Sequence, residues 1–114
     1  MENCIFCKIA NGEIPSNKVY EDDQVLAFYD LDPQAPVHVL IIPKAHYDSI
    51  LAVPCGGDSP LPAMTAAAQK IAQQLGVAET GFRLVINTGK DGGQSVPHLH
   101  MHLMGGREFA WPAG

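Results

Sequence analysis

Positive charge is scarce in this sequence. Lys and Arg number 7 against 12 Asp and Glu, which gives a formal net charge of -5. Duplex nucleic acid is bound through clusters of Lys and Arg that neutralise its phosphates. Because no basic stripe is present, we expect no nucleic-acid partner.

Long apolar runs are also missing, and the number of cysteines is odd. The first apolar stretch, Cys4 to Ala10, is interrupted by Lys8 and lacks a basic leader or a cleavage site. Three cysteines, an odd number, argue against a disulfide framework and for a reducing compartment. We therefore expect a cytoplasmic protein that neither crosses nor binds a membrane.

Hydrophobic residues are abundant enough for a folded core. They make up 46% of the 114 residues, and charged residues make up 17%. A chain of this length buries roughly two thirds of its unfolded surface in one core. The composition predicts one domain over residues 1–114.

Hydrophobic spacing and turn residues predict two helices and five strands. A short helix ends at Asn11-Gly12, and the main helix begins with Ser59 as its cap and Pro60 at its first position, then ends at Gly76. Strands with one substantial helix among them indicate an α+β fold with an antiparallel sheet. The strands are predicted over Lys18–Glu21, Val25–Tyr29, Val37–Pro43, Phe82–Asn87 and His98–Met104.

Three histidines alternate with apolar residues near the C-terminus. In a strand, His98, His100 and His102 would share one face, because side chains alternate with period two. Two such histidines can chelate zinc or copper, and His38 could add a third ligand. The turn Gly92–Ser95 instead offers successive backbone N–H groups and a hydroxyl that suit an anion. A phosphate ligand accommodates both features better than a metal.

The segment Asp91 to Gly106 resembles the signature of the histidine-triad (HIT) family. The similarity continues to Trp111-Pro112 and is closest to the purine nucleoside phosphoramidase branch. Further matching residues lie through most of the chain. They are Ile5-Phe6, Glu13-Ile14-Pro15, Asp30, Pro33-Gln34-Ala35-Pro36, His38, Ile42-Pro43-Lys44 and His46.

The resemblance implies a fold, an assembly and a reaction. The fold is a five-stranded antiparallel sheet, and two protomers join into one ten-stranded sheet across a homodimer. The reaction hydrolyses purine nucleoside phosphoramidates, such as adenosine 5'-monophosphoramidate, through a nucleotidyl-histidine intermediate. Covalent catalysis of this kind splits one difficult step into two easier ones.

The resemblance also implies roles for individual residues. His100 matches the nucleophile, His102 a phosphate contact, His98 and His38 the pair that orients the nucleophile's surroundings, and Ser95 a hydroxyl near the leaving group. An AMP-like purine nucleotide is the implied ligand. Its implied contacts are Asp30 and Leu31 at the ribose, Asn87 at the phosphate or ribose, Gly93 and Gln94 at the same site as Ser95, and Ile5, Phe6 and Ile9 at the base.

Cys4 and Cys7 form a C-x-x-C pair that fits zinc ligation, a redox couple or chance. No thioredoxin-like βαβ pattern surrounds the pair, so redox chemistry is disfavoured. In some members of the family, such cysteines bind zinc together with two histidines. This implies a structural zinc held by Cys4, Cys7, His46 and His98. The alternative leaves His98 as a catalytic orienter and the cysteines as buried thiols.

Two other functions compete with phosphoramidate hydrolysis. The fold could serve as a non-enzymatic nucleotide-binding module with a regulatory or scaffolding role, but the intact triad with Ser95 favours catalysis. Dinucleoside polyphosphate hydrolysis belongs to another branch, and the Gly-Gly-Gln-Ser turn with the Trp111 ending argues against it. The sequence does not identify the physiological conjugate or the base beyond purine.

Overall fold

The computed structural model describes residues 3–114 and confirms the α+β fold. Within them, one antiparallel sheet of five strands runs in the order β1-β2-β3-β5-β4 and carries a short helix and a longer one. In chain order the elements are α1 (Ile5–Ala10), β1 (Lys18–Glu21), β2 (Val25–Tyr29), β3 (Val37–Pro43), a 3₁₀ turn (Ile50–Ala52), α2 (Leu61–Gln74), β4 (Phe82–Val85) and β5 (Met101–Gly105).

The central strand β3 is buried on both faces, as its apolar density predicts. Val39 and Ile41 pack in the cluster beneath α2, and Leu40 and Ile42 pack in the cluster beneath α1. This alternation follows from the period of two along a strand. No helix among residues 3–114 has the length and apolar character needed to cross a membrane.

The main helix α2 begins one residue later than predicted. Pro60 accepts a hydrogen bond from the backbone N–H of Met64 and so occupies the cap position. The predicted cap, Ser59, therefore lies one residue before the cap position, and its hydroxyl accepts from the N–H of Leu61 at 3.2 Å. The helix ends where Gly76 takes a φ of 77°, a conformation that favours glycine.

The prediction that β5 begins at His98 is wrong, because the strand begins at Met101. The N–H of Leu99 donates to the carbonyl of Tyr47 at 2.7 Å, so this segment bonds to the loop after β3 and leaves the sheet ladder. Since β5 is the only neighbour of β4 among the described residues, β4 ends at Val85, opposite His102, and falls short of the predicted Asn87.

Candidate functional site

The three histidines of the motif lie on the α1 side of the sheet, although only His102 belongs to β5. Leu99, Met101 and Leu103 pack in the opposite cluster beneath α2. The rings of His100 and His102 are 5.2 Å apart, and Phe6 of α1 meets His100 edge-on at 5.1 Å. The predicted alternation is therefore present, even where the strand is not.

The environment of His100 fixes which nitrogen carries its proton. Its Nδ1 lies 2.8 Å from the backbone carbonyl of His98, and a carbonyl can only accept. Nδ1 must therefore be protonated, and the neutral ring keeps a free lone pair on Nε2. Because His100 is 3% exposed, its ring is held by the surrounding core.

His38 and His102 form a directed hydrogen-bonded pair. The N–H of Gln34 donates to Nδ1 of His38 at 3.0 Å, so the neutral His38 ring carries its proton on Nε2. That nitrogen lies 2.9 Å from Nδ1 of His102 and donates to it. His102 consequently carries its own proton on Nε2, where it is available as a hydrogen-bond donor.

His102 is neutral near pH 7. Burial lowers its pKa to about 4, with the neighbouring His100 and His38 acting in the same direction and Asp30 opposing them. A neutral ring can accept from His38 at one nitrogen and donate from the other.

The remaining residues predicted to contact a nucleotide differ in exposure. Asp30 lies beside His38, with Oδ2 at 3.5 Å from Nε2, and its Oδ1 accepts from the N–H of Asp32 at 2.8 Å. Leu31 is 97% exposed, Asn87 is partly buried and Ser95 is exposed. Of the predicted base contacts, Ile5 is exposed, whereas Phe6 and Ile9 belong to the core.

Two of the backbone N–H groups in the turn Gly92–Ser95 have partners nearby in the chain. The N–H of Gly93 donates to the carbonyl of Lys90, and that of Gln94 to the carbonyl of Gly89. The Gln94 amide closes the turn further, accepting from Gly89 and donating to Asp48 and Val96. These bonds hold the turn in its closed conformation, and an anion contact by Gly93 or Gln94 stays a prediction.

A second cluster joins α1 to the loop after β3. Cys4, Cys7, His46 and His98 place one ligand atom each within 4.8 Å of one another. The Nδ1 atoms of His46 and His98 are 3.2 Å apart, and sulfur to Nδ1 distances are 3.2 to 3.5 Å. Tetrahedral zinc requires about 3.4 Å between nitrogens and about 3.6 Å between nitrogen and sulfur. The cluster is thus a possible metal site of the predicted composition.

The outer nitrogens of both histidines in this cluster are held by oxygen acceptors. Nε2 of His46 lies 2.7 Å from Oδ1 of Asp48, and Nε2 of His98 lies 2.9 Å from the carbonyl of Pro43. Both rings therefore direct an unprotonated Nδ1 at the cysteines, which is the arrangement of metal-binding histidines. Burial lowers the pKa of His98 and raises that of the Cys7 thiol.

Asp30, His38 and His102 also bring three ligand atoms within 4.8 Å. Their hydrogen bonds do not suit a metal, because the N–H of Gln34 occupies Nδ1 of His38 and leaves its Nε2 protonated. A cation would have to displace that proton. This group is better described as a hydrogen-bonded chain.

Several important contacts come from groups that the sequence motifs do not reveal. The carbonyls of Pro43 and His98 and the N–H of Gln34 fix three histidine tautomers, but backbone groups leave no mark in a sequence. Asp48 could have been found, since it follows His46 by two residues and carries a carboxylate.

Comparison with known proteins agrees with this architecture. The HIT domain family matches residues 11–109. The purine nucleoside phosphoramidase of Escherichia coli strain K12 is 51% identical over 106 residues, 93% of this chain and 89% of that protein.

Solved structures are similar as well. A HIT family hydrolase from Legionella pneumophila has a TM-score of 0.94 at 51% identity, covering 98% of this chain and 100% of that one. A histidine triad nucleotide-binding protein from Candida albicans has a TM-score of 0.83 at 35% identity, covering 98% and 85%. The chain therefore belongs to the HIT domain family and groups with the hydrolases of that family.

Proposed function

We propose that this chain hydrolyses the P–N bond of purine nucleoside phosphoramidates, with His100 as the nucleophile. The observation that carries the proposal is the bond from Nδ1 of His100 to the carbonyl of His98, which leaves a lone pair on Nε2. The Escherichia coli relative with half of its aligned residues in common is named a purine nucleoside phosphoramidase.

In the first step, the lone pair of His100 Nε2 attacks the α-phosphorus, and the P–N bond breaks. The leaving nitrogen takes the bonding pair, gains a proton from solvent and departs as an amine. The imidazole then carries the nucleotidyl group on Nε2 and a positive charge, which the His98 carbonyl stabilises at Nδ1. Water attacks phosphorus in the second step, loses a proton and releases AMP and neutral His100.

His102 supports transfer by donating from Nε2 to a phosphoryl oxygen. Charge on these oxygens must be stabilised in the transition state, and a donor already oriented by His38 needs no rearrangement. We propose that the Ser95 hydroxyl lies near the leaving group, with Gly93 and Gln94 contributing contacts at the same site. His98 acts on the nucleophile through its carbonyl, while its imidazole faces the cysteines.

The nucleoside is proposed to lie beside Asp30, whose carboxylate accepts from the ribose hydroxyls, with Leu31 and Asn87 nearby. The exposed side chain of Ile5 offers an apolar contact to the base. An AMP-like ligand would thus span from Asp30 to His100.

A substrate panel tests the reaction. Purified protein is incubated with adenosine 5'-monophosphoramidate, adenylyl-lysine and diadenosine polyphosphates, and kcat/KM is compared. The proposal expects the phosphoramidates to be the best substrates. A preference for polyphosphates would contradict it, and AMP binding without any turnover would favour a regulatory or scaffolding module.

We also propose that the cluster of Cys4, Cys7, His46 and His98 binds a structural zinc. Four protein ligands would complete the tetrahedron and leave no open position for water. The ion would tie α1 to the β3–β5 side of the sheet and leave the chemistry to His100.

Elemental analysis of protein purified without chelator or affinity metal tests this site. We expect near-stoichiometric zinc in the wild type and its loss in Cys4→Ala and Cys7→Ala. Cys55→Ala is the matched control, since Cys55 is exposed and outside the cluster. With free zinc at 1,000 times its dissociation constant, binding stabilises the fold by about 4 kcal/mol, or about 15 °C in Tm. Wild-type protein that is free of metal and has the same Tm as after addition of zinc would contradict the proposal.

The two edges of the sheet differ in a way that favours a homodimer through β4. The edge strand β1 carries the charged residues Lys18 and Glu21, which discourage pairing, whereas β4 exposes Phe82 and Leu84. Joining two β4 edges would give the ten-stranded sheet. Trp111, which is 85% exposed, would then lie near the partner's nucleotide pocket.

Light scattering at micromolar concentration tests the assembly, and a monomer would refute it. Deleting residues 109–114 should change selectivity for the leaving group more than it changes stability.

A cytoplasmic location and one domain over residues 1–114 stay predictions.

A further inference from the structure

A hydrogen-bonded path leads from the C-terminal segment, residues 106–110, to the histidines. Nε of Arg107 donates to the carbonyl of Gln34 at 3.1 Å. The N–H of the same Gln34 donates to Nδ1 of His38, and Nε2 of His38 donates to His102. Gln34 is therefore held at its carbonyl and positions His38 through its N–H.

The C-terminal segment is itself anchored. The ring of Phe109 contacts two guanidinium groups, with Cζ of Arg107 at 4.2 Å and Cζ of Arg83 at 5.0 Å from its centre. Arg83 also donates to the carbonyl of Ala110 at 3.1 Å. Arg83 belongs to β4, so the anchor connects the segment to the sheet.

Close packing holds the Gln34 region against this segment. A side chain on Gly106 would place its Cβ 2.9 Å from Cβ of Pro36, and Gly106 has a φ of 89°. Glycine at this position lets the two segments approach each other. Arg107 then reaches Gln34 directly after this contact.

We propose that Arg107 and the N–H of Gln34 are positioning groups that fix the tautomers of His38 and His102, so that His102 presents Nε2–H to the phosphoryl group. This rests on the proposed function. Neither group contacts the reacting atoms, because both act through His38. Loss of the Gln34 N–H frees Nδ1 of His38 to take the proton, and His38 then no longer donates to His102.

Gln34→Pro removes this N–H, and Gln34→Ala is the matched control that keeps it. Within residues 3–114 the Gln34 side chain donates only to the carbonyl of Asp32, at 2.9 Å. Arg107→Gln removes the guanidinium, and Lys70→Gln makes the same change in charge on the exposed face of α2.

Long-range ¹H–¹⁵N correlation spectra of the histidine rings report the tautomers directly. We expect Nε2–H on His38 and His102 in the wild type and in Gln34→Ala. In Gln34→Pro we expect a mixed or reversed tautomer, with kcat at least about fivefold lower and KM within about twofold. Arg107→Gln should change the tautomer populations and lower kcat in the same direction as Gln34→Pro. Lys70→Gln should change neither the tautomers nor kcat.

An Nδ1–H tautomer on His38 in the wild type would overturn the proposal, whether or not any variant folds. A Gln34→Pro variant that folds and keeps the wild-type kcat would also overturn the proposal. The variant counts as folded if adding AMP raises its Tm by as much as it raises the wild-type Tm. If Gln34→Pro does not fold, Arg107→Gln with wild-type tautomers and kcat would also overturn it. A wild type that hydrolyses no substrate of the panel refutes the proposed function, while the spectra still decide the tautomers.

Discussion

Acid should destabilise this protein partly through His102. In the unfolded chain a histidine titrates near 6.5, whereas burial lowers the pKa of His102 to about 4. A depressed histidine pKa means that the unfolded state binds the proton more tightly. Stability is therefore greatest above pH 6.5, falls as the pH drops towards 4, and changes no further through this group below that value.

The size of the effect follows from the shift. A difference of about 2.5 pH units corresponds to about 3 kcal/mol at 1.36 kcal/mol per unit. His102 is only partly buried, and solvent screening reduces this to about 2 kcal/mol.

Urea unfolding followed by circular dichroism, at several pH values between 7 and 4, measures this loss. His102→Asn is the reference variant, because the Asn carbonyl can accept from His38 but does not titrate. The variant retains the other four histidines, so subtraction of its profile isolates His102. We expect the wild type to lose about 2 kcal/mol more than the variant. Parallel profiles would show that His102 is not held neutral by burial.

Three further predictions concern packing and the metal cluster. Leu103→Ala, at a fully buried position, should lower the free energy of unfolding by about 2–5 kcal/mol, whereas the exposed Leu51→Ala should change it by less than about 0.5 kcal/mol; equal losses in urea titrations would contradict this. Gly105→Ala should cost about 1–3 kcal/mol, because its Cβ would meet the Val77 side chain at 2.9 Å, and an unchanged Tm would disprove the overlap. Asp48→Asn should weaken zinc binding about tenfold or more in competition with a chelator, because it replaces the carboxylate that orients His46; unchanged affinity would exclude that role.

The sequence predicts those parts of the fold that depend on local patterns. The boundaries of β1, β2 and β3 agree with the prediction, because short runs rich in β-branched and aromatic residues are bounded by clear turn residues. The predicted start of β5 was wrong because the alternation of histidines and apolar residues extends beyond the residues that pair in the sheet. Only the tertiary bond from Leu99 to Tyr47 removes that segment from the sheet.

The candidate site could be predicted as a set of residues but not as a network. The resemblance grouped Cys4 and Cys7 with two distant histidines, and the structure brings those four side chains together. In the Gly92–Ser95 turn, the sequence does not show that the N–H groups of Gly93 and Gln94 donate to carbonyls nearby in the chain. The tautomers depend on carbonyl and N–H groups whose positions arise only from the complete fold.

The central claim is that His100 attacks phosphorus, and kcat/KM of His100→Ala with adenosine 5'-monophosphoramidate tests it most directly. AMP binding by calorimetry establishes that the variant still folds and holds the nucleotide. The account predicts a loss of at least about 10⁴-fold in kcat/KM with AMP affinity retained, because loss of a nucleophile removes the covalent route. A variant that binds AMP and keeps more than about a tenth of wild-type kcat/KM would contradict it.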